Sequence, residues 1–98
     1  NTDLLHCGPN YGNYCPTTPQ QLDVINQQTL ESIKNLYLSE VRRENLCGYD
    51  VIQLFIQLSL FHNWKFKDSN YNTSYRVNHE EYTKQTNSVG YGSMIFTR

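Results

Sequence analysis

Alanine is absent from the 98 residues, and charged side chains make up only 17% of them. Helical proteins of the cytosol lean on Ala, Glu and Lys, so both shortages argue against that class. No lysine- or arginine-rich run occurs. The longest basic cluster is Arg42-Arg43, between Glu40 and Glu44, and the formal net charge is -1. Duplex nucleic acid or an anionic membrane needs a concentrated positive face, so no nucleic-acid partner is expected. A long hydrophobic run is also missing. The longest apolar stretch, Val51 to Phe61, is interrupted by Gln53, Gln57 and Ser59. It is too short and too mixed to span a bilayer, so no membrane insertion is expected. The glycine fingerprint of dinucleotide sites, the P-loop, H-E-x-x-H, G-x-S-x-G and the EF-hand loop do not occur. Nucleotide and metal enzymology lose their usual markers, and no cofactor is expected.

What is present is polar without being charged. Asn, Gln, Ser and Thr are abundant, and tyrosine occurs 8 times. Such a surface suits an extracellular, secreted or virion-exposed protein. The chain does not start with Met and ends at Arg98. Both features are read as those of a processed product or an excised piece. At this length one domain with a modest core is expected over residues 1–98, and a covalent staple would help it.

Residues 1–17 read as irregular, because Gly, Pro and Asn crowd the Cys7–Pro16 stretch. A helix is expected from 18 to about 44. Thr18 is its N-cap, Pro19 its first residue and Gln21 the reciprocal partner of a capping box. Leu22, Ile25, Leu30, Ile33, Leu36, Tyr37 and Val41 form one stripe along it. Gly48 is the expected stop. Asp50 caps a second helix over 50–62, which buries Val51, Ile52, Phe55, Leu58 and Phe61 and forms the centre of the core. Trp64 to Lys67 alternates apolar and basic and reads as a strand. Asp68–Ser74 reads as an exposed loop and Tyr75–Lys84 as a second strand or irregular edge. Asn87–Ser93 reads as a loop and Met94–Arg98 as a short final strand. The expected fold is therefore α+β, with two N-terminal helices packed on a small antiparallel sheet of two or three C-terminal strands.

The three cysteines are sorted by distance. An unbroken helix of 25 residues is roughly 37 Å long. Cys15 lies before it and Cys47 after it, yet a disulfide needs Cα atoms within about 7 Å. Cys7 and Cys15 are then the expected pair, closing a turn-rich loop. The same distances, and the lack of a C-x2-C knuckle, count against a shared metal. A helix break near Ser39-Glu40 would undo this reasoning by bringing Cys47 back. Cys47 is read as a buried thiol acting as a small hydrophobe. The alternative is an odd cysteine that links a covalent or non-covalent oligomer.

The expected function is a binding module for a protein or glycan partner. Its candidate contacts are Trp64, Tyr71, Tyr75 and Arg76, where aromatics interleave with cations. A plainer pattern puts Trp64 and Phe66 inward and Lys65 and Lys67 outward. Asn72-Thr73-Ser74 is a glycosylation acceptor, so Asn72 is a candidate glycan site. The alternative function is a secreted or pathogen hydrolase or toxin using His79 with Glu80 or Glu81 as an acid–base pair. A further alternative is a processed subunit of a larger assembly.

Overall fold

The computed structural model describes residues 1–83 and 85–98. The chain is α+β, with a three-stranded antiparallel sheet in the order β1-β3-β2. In sequence the elements are β1 (Thr2–Cys7), α1 (Pro19–Lys34), α2 (Tyr49–His62), β2 (Lys65–Thr73), the single turn α3 (Ser74–Val77) and β3 (Ser88–Thr97). Three short 3-10 turns lie at Pro9–Tyr11, Leu38–Glu40 and Arg43–Asn45. Lys84, the last residue of the expected second strand, lies outside the described residues.

The N-terminal residues 1–17 are thus not wholly irregular. Thr2–Cys7 adds to the sheet as an edge strand, pairing Thr2 with Gly92 and His6 with Val89. The expected loop Asn87–Ser93 and the short final strand fuse into β3, the central strand. Two glycines made that segment resemble a loop. Their actual role is close approach. A Cβ on Gly90 would stand 2.9 Å from the Leu4 Cβ and 2.8 Å from the Asn26 Nδ2, and one on Gly92 would stand 2.7 Å from a Leu30 methyl. Both glycines let α1 settle directly on the sheet. The expected loop Asp68–Ser74 is likewise mostly strand, with Asn70 opposite Ser93 and Asn72 opposite Tyr91.

The capping box of α1 is present. The Gln21 N–H donates to Thr18 Oγ1 and the Thr18 N–H to Gln21 Oε1, both at 3.2 Å. The helix ends at Lys34, not near residue 44. Leu36 adopts φ 59°, so the backbone turns left-handed there. The Tyr37 N–H then donates to Ser32 O at 2.9 Å, and the Leu36 N–H to Ile33 O at 3.0 Å. This pair of bonds is a Schellman closure with Leu where Gly is usual. The chain folds back through its 3-10 turns and buries Val41 and Leu46 beside Leu4, Leu30, Ile33 and Ile56.

The second helix is capped by Gly48 at φ 77°, and no side chain among the described residues caps it. Asp50 lies in its first turn instead, facing Arg43 at 3.4 Å with both side chains mostly exposed. Such a pair contributes little. The larger correction concerns packing. Ile52, Ile56 and Ser59 are the buried residues of α2. Val51, Leu58 and Phe61, expected inside, are 70%, 40% and 81% exposed, and Leu54 and Leu60 are 56% and 58% exposed. A helix that is apolar on most sides uses one narrow side for the core. The described residues form an elongated body, with extents of 42 × 22 × 17 Å.

Candidate interaction surface

Cys7 and Cys15 stand as a disulfide pair, with Cα atoms 4.8 Å apart. Both are buried, packed with Leu22 and Tyr75. The expected pairing holds, although its premise of a long helix does not. Because α1 ends early, Cys47 returns to the sheet edge. Its N–H donates to Asp3 O at 2.9 Å, and Thr2 Oγ1 donates to its carbonyl at 3.1 Å. These backbone bonds leave the Cys47 side chain outside, as an exposed free thiol, not the buried one expected.

The tyrosine-bearing segment is not an exposed loop, and it meets α1. The Tyr71 hydroxyl donates to Asp23 Oδ1 at 2.7 Å and accepts from Asn26 Nδ2 at 3.0 Å. Asn26, fully buried, also accepts from the Leu5 N–H at 3.2 Å. Arg76 donates to both oxygens of Asp23, one bond measuring 2.8 Å. Tyr75 is buried, its ring 5.1 Å from that of Tyr82, and the Tyr82 hydroxyl donates to Pro16 O at 2.6 Å. Tyr71, Tyr75 and Arg76 therefore tie β2 and α3 to α1 and to the disulfide cluster.

The charges respond to this network. The Arg76 hydrogen bonds hold the Asp23 carboxyl below the usual carboxylate range, against the opposing effect of partial burial. Burial leads in raising the Tyr71 phenol to about 12, and the Asp23 carboxylate adds to it. A depressed native carboxyl stabilises the fold above its unfolded pKa near 4, and that contribution is lost as pH falls through the native value. Urea unfolding should therefore show a drop in midpoint below about pH 4, and Asp23→Asn should flatten that drop. Parallel pH curves for the two proteins would mean that the ion pair does not couple to folding.

Asn72 is exposed near the end of β2, with Oδ1 accepting from the Thr73 N–H at 2.8 Å. His79, at φ 56°, and both Glu80 and Glu81 are exposed. Among the described residues no hydrogen bond or ion pair joins them, and no group of three His, Cys, Asp or Glu could hold a metal ion. Among the described residues no helix is long and apolar enough to cross a membrane.

The surface that composition alone did not reveal is the outer side of α2. Val51, Leu54, Leu58 and Phe61 follow steps of three, four and three, which place them on one stripe of the helix. The stripe begins at a groove of about 140 Å³ lined by Leu30, Ile33, Val51, Ile52, Phe55 and Met94 among others. It ends at aromatic rings. His62 stacks on Trp64 at 5.2 Å and meets Phe61 edge-on at 5.0 Å. Trp64 in turn lies 6.5 Å from Phe55, so this candidate residue stands at the end of the apolar stripe. From Val51 to Trp64 there is no Asp, Glu, Lys or Arg. In the sequence this surface shows as an all-round apolar helix, a pattern that a core helix shares.

No family model, curated protein or solved structure matches the chain.

Proposed function

We propose that the protein is a binding module, or the processed subunit of an assembly, that engages a protein partner through the outer face of α2. One observation carries the reading: four large apolar residues at helical spacing stand in solvent on a helix already anchored by its other side. Scattered apolar residues are ordinary on a surface, whereas a contiguous stripe rimmed by polar residues marks an interaction site. Trp64 extends this surface. The buried Cys7–Cys15 pair supports an oxidising setting, outside a cell or on a virion surface. Asn72, if glycosylated there, would carry its glycan on an exposed strand position opposite Tyr91. A protein partner is favoured over a glycan because the stripe offers apolar area and few hydrogen-bonding groups. Among the described residues no hydrogen bond or ion pair joins His79 to Glu80 or Glu81, so the hydrolase alternative gains no support from them.

The reading requires that α2's outer face contributes nothing to the monomer's own core. A Leu54→Glu/Leu58→Glu protein, heated at high dilution, should melt within about 6 °C of the unaltered chain, since exposed substitutions cost about 0.5 kcal/mol or less each. A fall of about 15 °C or more would place both leucines in the core and remove the surface.

A further inference from the structure

Resting on the α2 reading, we infer that the partner seated on this face is a second copy of the same chain, packed with its α2 antiparallel to the first. The spacing of the stripe is self-complementary. With the two-fold axis crossing the outer face midway between Leu54 and Leu58, Leu54 of one copy faces Leu58 of the other, and Val51 faces Phe61. Each layer pairs one residue from the early part of the helix with one from the late part, and the small Val51 is matched to the large Phe61. Isologous pairing demands this kind of reciprocity from a single patch. Antiparallel packing also sets each helix N-terminus beside the partner's C-terminus, where the macrodipoles attract.

Charge and area agree. The face has no charged residue between Asp50 and Lys65, so two copies meet without like-charge repulsion. The four stripe side chains, Val51, Leu54, Leu58 and Phe61, expose roughly 400 Å² together, which supplies the apolar centre of an interface of the ~800 Å² per partner that a stable pair buries. A lipid surface fits less well, because an interfacial helix carries Lys and Arg on its polar face and α2 has none. The geometry also bears on the exposed thiol. In this arrangement the two Cys47 residues lie about 27 Å apart along the helix axes, too far for a disulfide, so the dimer is non-covalent.

The test is sedimentation equilibrium of the full chain, oxidised at Cys7–Cys15, at about 1 and about 100 µM, a range that separates weak from firm dimers. The expected mass at the higher concentration is twice the 11.5 kDa of the chain, unchanged by Cys47→Ser. Leu58→Glu should return it to the mass of one chain. Should that variant lose its far-UV helix signal, Leu54→Lys takes its place. A chain that stays monomeric while binding anilinonaphthalene sulfonate, with the dye signal lost in Leu58→Glu, would overturn the second copy and leave the docking face to a different protein. A monomer that binds no dye would overturn both readings. A dimer that survives Leu58→Glu with its helix signal intact would overturn the α2 pairing, and so would a monomer that floats with neutral phosphatidylcholine vesicles.

Discussion

Gly90→Val should destabilise the fold by about 3 kcal/mol or more, lowering the melting temperature by roughly 15 °C. Gly90 lies on the central strand beneath α1, and even a single added Cβ would come within 2.9 Å of the Leu4 Cβ. The other near neighbour is Asn26, whose Nδ2 would be 2.8 Å away. Asn26 is unable to swing aside freely. Its carbonyl oxygen holds the Leu5 N–H and its nitrogen holds the Tyr71 hydroxyl, so moving it leaves buried groups unpaired. The strand and the helix must separate, or the network between α1, β1 and β2 must break. Gly90→Ala should show the same effect in smaller measure. In combination with Asn26→Ala it should lose less stability than the two changes added, because the clash and the network share one side chain. Strict additivity in thermal or urea unfolding would mean that the contact is not tight.

The second large effect concerns the staple. Cys7→Ala/Cys15→Ala should cost about 2.5 kcal/mol, the loop-closure value for a short loop. The pair sits in a cluster with Leu22 and Tyr75, so its loss also loosens the end of the sheet that carries α3. Measured under oxidising conditions, the double variant should melt roughly 10 °C or more below the unaltered chain. Adding reductant to the unaltered chain should reproduce most of that loss. If the double variant and the reduced chain both melt with the oxidised one, Cys7 and Cys15 act only as packed thiols, and the argument for an oxidising compartment fails.

Some of this was legible in the residues. Thr18, Pro19 and Gln21 announced the start of α1, because capping is local chemistry with few alternatives. The α+β class followed from helical periodicity early and strand alternation late. The end of α1 was not legible. Leu36 closes the helix in a left-handed conformation, and nothing about an Asn-Leu-Tyr sequence demands that in place of another helical turn. Tertiary burial of Val41 and Leu46 decides it. β3 was hidden for a related reason: Gly90 and Gly92 resemble turn residues until the helix above them is known. β2 runs through Asp68, Ser69 and Asn70, which have little strand propensity of their own and are held by pairing to β3. The disulfide was anticipated on a faulty premise, since Cys47 does come back to the sheet. Its backbone is held there, while its side chain points to solvent.

The exposed apolar side of α2 is in plain view in the sequence, but the residues alone do not separate it from a core face. An apolar stretch of a dozen residues signals burial without saying against what. In α2 the positions of Ile52, Ile56 and Ser59 face this chain, and those of Val51, Leu54, Leu58 and Phe61 do not. Conversely, the tyrosines and Arg76 were expected to meet a partner because aromatic–cation clusters often do. Asp23, distant in sequence, claims Tyr71 and Arg76 for the fold.

Cross-linking between single-cysteine positions reports on the face, its occupant and the direction of packing together. In a Cys47→Ser background, Leu54→Cys and Leu58→Cys proteins would be treated with the thiol oxidant diamide, each alone and as an equimolar mixture, with mass read without reductant. Each alone should remain at the mass of one chain, and the mixture should yield a covalent species of twice 11.5 kDa, because the proposed pairing sets Leu54 opposite Leu58. A covalent dimer from either protein alone, or none from the mixture, would contradict the antiparallel α2 interface.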